Sequence, residues 1–445
     1  MNDDVGADLF PVSERAWRRH YLLFVLCLVG VFNMLDRQII SVLLEPIKKE
    51  FGASDAAMGV VVGAMFAGFY LVAAVPVGRL ADRYPRKWVI GICLGFWSMM
   101  TALAGATTSL AQLGATRIGV AVAEAATSPA SYSMLSDVYR TRVRATVISI
   151  LAAAQAAGIG LGVFLGGWLS DVFTWRISLM LVGAPGILLA VWMLLTVREP
   201  VRGSSDRVTD TGQAPSTRAS LAILWRIPTY RCLMLTAAFA GFGGYGVLNW
   251  GPTFLRRLHQ MSGAEVGTLF GSAVGLSLML GNIVGGIISD RLGRRDMRAY
   301  MWIAAAGPLL STPAGFVFVF ASDGAVAIVA LFLFLFFQTS YIPPCYAVGQ
   351  MLAPLRVRAM ASVGIAMATG VAGMFLAPLA VGLMNDAFSG RFGDGSIRYS
   401  LGAIIASAAL AAAAATMGSR MILRDYAATR QADSVTPQGP SAAAV

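Results

Sequence analysis

Long apolar stretches alternate with short polar or charged stretches along most of the chain. About 20 apolar residues in helical form can cross the ~30 Å hydrocarbon core of a bilayer, because a helix rises ~1.5 Å per residue. The pattern predicts an all-α membrane protein with twelve transmembrane helices. We place them at 18–46, 56–82, 88–109, 112–138, 145–170, 176–196, 228–257, 262–290, 299–321, 324–351, 358–386 and 397–423.

A polar insert at 198–220 divides these helices into two groups of six. It has few apolar residues, which is typical of a flexible connection. We therefore predict five regions. They are a cytoplasmic N-terminal segment at 1–17, a six-helix bundle at 18–197, a cytoplasmic linker at 198–227, a second six-helix bundle at 228–423 and a disordered cytoplasmic tail at 424–445.

The two groups of helices repeat each other. The segment 78–87 (GRLADRYPRK) resembles the segment 286–295 (GIISDRLGRR), which lies 208 residues later. A second set recurs 214 residues later: Pro129, Tyr132, Arg142, Val143 and Arg144 match Pro343, Tyr346, Arg356, Val357 and Arg358. The repeats predict two pseudo-symmetric six-helix bundles with a site where they meet, which is the architecture of a transporter that opens alternately to two sides.

Composition and charge agree with this prediction. The chain is 57% hydrophobic and 13% charged, which is too apolar for a soluble globular protein. Its net charge of +11 does not indicate nucleic acid, because our helix placement puts about 25 of the 34 Lys and Arg on one side of the membrane and about 7 on the other. This bias predicts that both termini lie in the cytoplasm. We expect a multi-pass protein of the cell (inner) membrane, in contact with membrane lipids.

The sequence carries no pattern for a metal or cofactor. Four cysteines lie in apolar segments without metal-ligand spacing, and two histidines lie at helix ends. No phosphate-binding loop motif is present, so ATP is not expected to drive transport.

Four charged residues lie inside predicted helices: Asp36, Arg37, Arg117 and Glu124. Asp36 is fifteen residues past Tyr21, or ~22 Å into the bilayer. A charge at that depth costs at least ~2.5–3.5 kcal/mol, so such residues usually face a bundle interior or a watery cavity and mark a pathway. Helix lengths put Glu124 at nearly the same depth, and we expect the two carboxylates to meet.

We interpret Asp36 and Glu124 as groups that bind and release protons. Arg37 and Arg117 would balance charge or hold an anionic headgroup. The alternative is a static ion-pair network that joins the first and fourth helices, because such networks also perturb pKa values without transport.

Further candidates come from the helices expected to line a central cavity. They are Phe32, Asn33, Tyr132, Tyr245, Asn249, Gln338 and Tyr341. The repeated loop supplies candidates for a cytoplasmic gate, namely Asp82, Arg83, Arg86, Asp290, Arg291 and Arg294. The alternative for these loop charges is that they only enforce topology.

The doubled loop motif, the twelve helices and the central cytoplasmic loop resemble the major facilitator superfamily. Within it, LDR at 35–37, EPI at 45–47, Arg117 with Glu124, and Trp175-Arg176 followed by VGAPG and VREP are similar to the spinster-like branch. This resemblance implies that the loop aspartate latches the cytoplasmic side. It also implies substrates such as sphingosine phosphate and lysophospholipids.

We therefore expect a monomeric secondary transporter that moves an amphipathic, lipid-like substrate by proton-coupled alternating access. The alternative within transport is a small organic anion, a sugar acid or a drug. An intramembrane enzyme would need a nucleophile with a base or a metal cluster near the buried charges. A channel would need symmetric polar rings. The sequence favours neither, and we predict that the protein is not an enzyme.

Overall fold

The computed structural model describes residues 12–139, 141–200, 217–354 and 357–435. Within these ranges it leaves the side chains of 12–16, 75, 78, 82, 141, 142, 145, 359 and 432–435 undescribed. The described residues form an all-α structure of long helices, which confirms the predicted fold class. Ten of its stretches are long and apolar enough to cross a membrane, and one of these, Met360–Gln431, holds two successive helices.

The first half of the chain contains six long helices, α1 to α6. They are α1 (Val12–Phe51), α2 (Asp55–Gly59, a π-helical Val60–Met65 and Phe66–Arg83), α3 (Arg86–Ala104), α4 (Leu110–Glu124 and Thr127–Val138), α5 (Thr141–Val172) and α6 (Trp175–Thr196).

The second half repeats this arrangement with α7 to α12, after a short linker helix, Thr217–Trp225. They are α7 (Pro228–Leu258), α8 (Gly263–Glu265, a π-helical Val266–Phe270 and Gly271–Gly293), α9 (Arg298–Phe320), α10 (Gly324–Thr339 and Ile342–Leu352), α11 (Arg358–Thr369, a π-helical Gly370–Leu376 and Ala377–Phe392) and α12 (Ser396–Val435).

Polar side chains fix the starts of several helices. Ser109, Thr174 and Asp323 each accept a hydrogen bond from a backbone N–H in the first turn of α4, α6 and α10, respectively. Such caps satisfy donors that have no partner within the helix. The sequence therefore marks these boundaries with single residues.

Two predicted boundaries need correction. The tail that we predicted to be disordered from 424 is helical up to Val435, and Asp425 accepts hydrogen bonds from the backbone N–H and the hydroxyl of Thr229. The predicted linker contains the helix Thr217–Trp225. Apolar windows detect only the part of a helix that lies in hydrocarbon, so they miss polar extensions. The predicted segments at 1–11, 201–216 and 436–445 lie outside the described residues.

Both α4 and α10 are interrupted at nearly the same position of the repeat, within one residue. The interruption in α4 is at Ala125 and Ala126, and that in α10 is at Ser340 and Tyr341. Each is followed within four residues by proline, which lacks the N–H that would bond to the preceding turn. The interruption in α4 directly follows Glu124.

The chain forms two compact units. Of the described residues, unit 1 contains those within 1–53, 65–210 and 262–275, and unit 2 contains those within 54–64, 211–261 and 276–445. The start of α2 thus packs in unit 2, whereas the start of α8 packs in unit 1. Helices α2 and α8 each begin in one unit and continue in the other.

Candidate functional site

The charged pair on α1 lies where α5 packs closely against α1. Gly158 and Gly162 of α5 face the α1 backbone, and a Cβ atom added to them would lie 2.4 Å from the Val31 carbonyl oxygen and 2.6 Å from the Leu35 carbonyl oxygen. Small residues at such a spacing allow two helix backbones to approach closely. The glycines of α5 therefore fix α1 at the level of Asp36.

Arg37 and Glu124 form a direct ion pair in unit 1. The Arg37 Nε donates to Glu124 Oε2 at 2.6 Å, and the Glu124 side chain is fully buried. The two residues are 87 positions apart in the chain, on α1 and α4. Glu124 is the last residue of the first part of α4. The interruption of α4 at this point places the Glu124 carboxylate opposite α1.

Asp36 lies beside this pair but has weaker partners. It is 1% exposed, and its Oδ2 accepts a hydrogen bond from the Thr101 hydroxyl at 3.3 Å. Its Oδ1 is buried without a hydrogen-bond partner among the described residues. Asp36 also interacts electrostatically with Glu124 and Arg117. The structure therefore brings together the four charges that the sequence predicted.

Two aromatic residues of α2 complete the cluster. The guanidinium carbons of Arg37 and Arg117 each lie 5.0 Å from the Phe66 ring centroid, and that of Arg37 lies 4.6 Å from the Tyr70 centroid. Phe66 and Tyr70 stack on each other with centroids 6.0 Å apart. A cation over an aromatic face is attracted by the ring quadrupole, most strongly when both are desolvated. Phe66 therefore links the two arginines.

Several buried polar atoms without partners belong to residues of this cluster or to residues near them in the sequence. Among the described residues, eleven buried side-chain nitrogen or oxygen atoms have no hydrogen-bond partner, and seven of them belong to residues from 33 to 127. They are Asn33 Nδ2, Asp36 Oδ1, Trp97 Nε1, Ser98 Oγ, Arg117 Nε, Glu124 Oε1 and Thr127 Oγ1. Buried polar groups usually have partners, so these atoms are candidates for contacts with water, ions or substrate.

The other cavity candidates divide between the two units. Phe32 and Tyr132 are half-buried in unit 1. In unit 2, Asn249 donates to the backbone oxygen of Tyr245 at 2.8 Å, and Gln338 accepts from Ser311 and donates to the Ala240 carbonyl. These bonds occupy both ends of the Gln338 amide. Tyr341 is buried, at the interruption of α10.

Of the predicted gate residues whose side chains are described, Arg86 is buried and forms a hydrogen-bond network. It is 2% exposed, and it donates to Glu199 at 2.9 Å, to Ser133 at 2.8 Å, to Asp137 and to the Pro200 carbonyl. This network joins the start of α3 to α4 and to the end of α6 within unit 1. Arg83, Asp290, Arg291 and Arg294 are exposed, and Asp290 accepts from Tyr300 at 3.3 Å. The side chain of Asp82 lies outside the described part.

The sequence repeat is also a repeat of contacts. Arg144 Nε donates to the Tyr139 carbonyl at 3.0 Å, and Arg358 Nε donates to the Ala353 carbonyl at 3.5 Å. Donor and acceptor are shifted by the same 214 residues as the matching sequence. Each arginine closes the turn that follows an interrupted helix.

Sequence reasoning missed four residues of the cluster: Phe66, Tyr70, Trp97 and Thr101. They are uncharged, and a transmembrane helix contains many such residues that only pack against neighbours or lipid. The aromatic spacing of Phe66 and Tyr70, one helical turn apart, was the only available signal.

The chain matches known proteins over most of its length. A family model described as the Major Facilitator Superfamily matches residues 26–378. An MFS-type efflux pump of Mycolicibacterium smegmatis is 32% identical over 404 residues, which are 90% of this chain and 91% of that protein. Protein spinster homolog 1 of Bos taurus is 29% identical over 346 residues, covering 74% of this chain and 65% of that protein.

A solved structure shows the same architecture. It is a bacterial homologue of the human lysosomal transporter Spinster in an inward-facing and unoccupied conformation. The TM-score is 0.84 at 28% identity, and the match covers 92% of this chain and 98% of that one.

Proposed function

This chain belongs to the major facilitator superfamily and is a secondary transporter, and on that premise we propose that it moves an amphipathic, lipid-like substrate by proton-coupled alternating access. The substrate would be of the lysophospholipid or sphingosine-phosphate type. The superfamily consists of transporters and not of enzymes, in agreement with the sequence prediction. The likeness to spinster proteins supports the substrate class.

The proposal for proton coupling rests on the unequal partners of the two buried carboxylates. Glu124 has a direct ion pair at 2.6 Å. Asp36 accepts from one hydroxyl at 3.3 Å, interacts with Trp97, and has no ion pair at such a distance among the described residues. Neutralising Asp36 therefore disrupts fewer contacts than neutralising Glu124. We assign the transported proton to Asp36 and the positioning of Arg37 to Glu124.

Proton binding at Asp36 would favour binding of an anion. Asp36, Arg37, Arg117 and Glu124 have no net charge when all are ionised, and protonation of Asp36 leaves the group with one positive charge. Arg117 Nε is a buried donor without a hydrogen-bond partner among the described residues, suited to a phosphate or carboxylate headgroup. Two ligands that favour the same state each raise the affinity for the other.

Transport assays on purified protein in liposomes test the role of Asp36. We expect Asp36→Asn to retain exchange of labelled for unlabelled substrate but to lose accumulation driven by a pH gradient. Glu124→Gln should lose both, because it leaves Arg37 without its ion pair. Asp425→Asn is the matched control, since Asp425 is a buried carboxylate in unit 2. Full gradient-driven accumulation in Asp36→Asn would exclude Asp36 as the proton carrier and favour a static network.

A second candidate function is export of a small organic anion or drug. The identity of 32% with an efflux pump over 90% of the chain supports it. A ligand panel in a thermal-shift assay separates the two candidates, because a bound ligand stabilises the state that it binds. We expect lysophospholipids to raise the melting temperature at concentrations where sugar acids have no effect. The reverse order would favour the second candidate.

A further inference from the structure

Four exposed aromatic side chains contact one another in a row at one end of unit 2. Phe316 and Phe320 of α9 stack with ring centroids 6.3 Å apart, and Phe320 meets the edge of Tyr399 of α12 at 6.2 Å. Tyr399 in turn lies 4.2 Å from the ring centroid of Phe392.

These rings lie where membrane-spanning helices end or begin. Phe320 is the last residue of α9, Phe392 is the last residue of α11, and Tyr399 lies in the first turn of α12. Exposed aromatic residues at the ends of transmembrane helices are typical of the level of the lipid headgroups, because an aromatic ring tolerates both hydrocarbon and water. The row of rings therefore indicates the boundary between the hydrocarbon layer and the headgroups.

Arg398 places a positive charge beside this row. Its guanidinium carbon lies 5.9 Å from the Phe320 ring centroid. Its Nε is buried and has no hydrogen-bond partner among the described residues, and Arg398 forms no ion pair with any of them. A buried donor without a partner costs free energy, so this arginine favours an acceptor from outside the chain.

The surroundings of Arg398 favour an anion. Arg398 is the third residue of α12, and the start of a helix carries a partial positive charge. The first turn of α12 contains no acidic residue, and Asp394 in the turn before it is exposed. A second guanidinium, that of Arg391, lies 5.3 Å from the Phe392 ring centroid. Two arginines and a helix start thus border the same aromatic row.

His259 adds a further polar group to this end of unit 2. Its Nε2 is buried without a partner among the described residues, and its ring meets the edge of Phe254 at 5.4 Å. Burial and the positive charge of Arg398 lower the pKa of His259, whereas the charge of Asp323 raises it. Asp323 already uses one oxygen to cap α10, where it accepts from the Val326 N–H at 2.9 Å. The positive charge of Arg398 thus acts on groups beyond its own helix.

We propose that Arg398 binds the phosphate of a phospholipid headgroup, and that the rings of Phe320 and Tyr399 contact the glycerol backbone and acyl chains of the same lipid. The planar guanidinium matches the spacing of phosphate oxygens. A phospholipid presents its phosphate and its chains together, as the site presents its cation and its exposed rings. The site lies in unit 2 and shares no residue with the charged cluster of unit 1, so this lipid is distinct from the transported substrate.

Thermal titrations of the full-length protein in detergent test this proposal. The probe is dioctanoyl phosphatidylglycerol, and the readout is the lipid concentration at half of the maximal rise in melting temperature, because a bound ligand stabilises the state that it binds. We expect Arg398→Gln to raise this concentration about tenfold, which corresponds to the loss of a hydrogen bond to a charged group.

Arg430→Gln is the matched control. Arg430 also lies on α12, with its guanidinium carbon 5.2 Å from the Tyr426 ring centroid. Its Nε and Nη2 donate to the Tyr426 hydroxyl, so its donors have a partner within the chain. We expect this variant to leave the lipid concentration at half effect unchanged.

Two further probes separate the phosphate from the chains. Dioctanoylglycerol has the same chains without the phosphate, and we expect it to act equally on the wild type and on Arg398→Gln. Inorganic phosphate has no chains, and at millimolar concentration it should not displace the lipid. Displacement by phosphate would make this a site for a free anion and would overturn the assignment to a lipid.

Two other results would overturn the proposal. One is an unchanged titration in Arg398→Gln, and the other is an equal shift in Arg430→Gln. If Arg398→Gln is not monodisperse after size exclusion, Arg398→Lys keeps the charge without the planar donor group and should shift the titration in the same direction by a smaller amount. An unchanged titration in that variant also contradicts the proposal. Because the readout uses neither transport nor a pH gradient, its failure would leave the assignment of Asp36 standing.

Discussion

At the scale of single residues, Phe66 shows how an uncharged side chain can organise buried charges. Its ring is 4% exposed and lies 5.0 Å from the guanidinium groups of both Arg37 and Arg117. Two like charges in a low-dielectric interior repel each other. The Phe66 ring contacts both guanidinium groups, and Glu124 forms an ion pair with Arg37. Together these contacts lower the free-energy cost of burying both arginines.

We predict that Phe66→Leu is more destabilising than its change in apolar volume explains. Leucine keeps most of the buried apolar surface but has no quadrupole, and desolvated cation–π contacts contribute up to ~2 kcal/mol each. Phe270→Leu is the matched control, because Phe270 is fully buried and has no cation–π contact among the described residues. Thermal unfolding in detergent should show the larger loss for Phe66→Leu, by about 1–2 kcal/mol. Equal losses would mean that Phe66 only fills space.

At the scale of helices and loops, Arg86 joins three helices of unit 1. Its guanidinium donates to the Ser133 hydroxyl and the Asp137 carboxylate on α4. It also donates to the Glu199 carboxylate and the Pro200 carbonyl, just after α6. Removing one partner of a buried ion pair leaves the other charge uncompensated, which costs ~3–5 kcal/mol. The first loop therefore has a structural role in addition to any role in gating.

We expect Arg86→Gln to lower the unfolding free energy by about 3 kcal/mol. Arg83→Gln, at an exposed position of the same loop, should change it by less than about 0.5 kcal/mol. Thermal unfolding together with transport assays distinguishes the two roles. If Arg83→Gln lowers transport at unchanged stability, it acts in the gate. Equal stability of both variants would contradict the structural role of Arg86.

The glycines of α5 give a second prediction at this scale. In Gly162→Ala the added methyl group meets the Leu35 carbonyl oxygen at 2.6 Å, one residue from Asp36, so α1 must move. Overpacking of this kind costs ~1–3 kcal/mol. Gly286→Ala of α8 is the control, since its nearest atom would lie 3.7 Å away and alanine favours a helix. We expect a lower melting temperature and slower transport in Gly162→Ala only.

The elements were largely predictable from the sequence, for a physical reason. The hydrocarbon layer requires long apolar helices, and charges or prolines mark their ends, so composition alone indicates their number and order. The π-helical turns at Val60–Met65 and Val266–Phe270 were not predictable. They depend on packing against distant helices, and no local residue pattern specifies them.

At the scale of the whole molecule, membership of the superfamily confirms the family resemblance and the fold that the sequence indicated. The meeting of Asp36 and Glu124 was also predictable, because helix rise gives the depth of each residue. The pairing of Glu124 with Arg37 rather than Arg117 was not, since depth does not determine which way a side chain points. It was equally impossible to predict from the sequence that residues 54–64 lie in unit 2 and residues 262–275 in unit 1.

This exchange makes the two halves of the chain depend on each other. The start of α2 finds Asp386, Asn385 and Arg257 only in the second half, and the start of α8 finds Asp171 only in the first. Burial of Asp55 without these partners would leave an unpaired carboxylate. Each half of the chain therefore supplies side chains that bond to a helix start of the other half, in addition to the covalent connection through the linker.

The distribution of charges over the two ends predicts the orientation of the molecule in the membrane. Arg83 and Arg291 lie in the basic motifs at the ends of α2 and α8, whereas Ala106 and Ser322 lie in the loops that follow α3 and α9. By the positive-inside rule we expect the basic motifs to face the cytoplasm. In intact cells, a membrane-impermeant maleimide should label cysteines at Ala106 and Ser322. Cysteines at Arg83 and Arg291 should react only after permeabilisation, and the opposite pattern of labelling would reverse the predicted orientation.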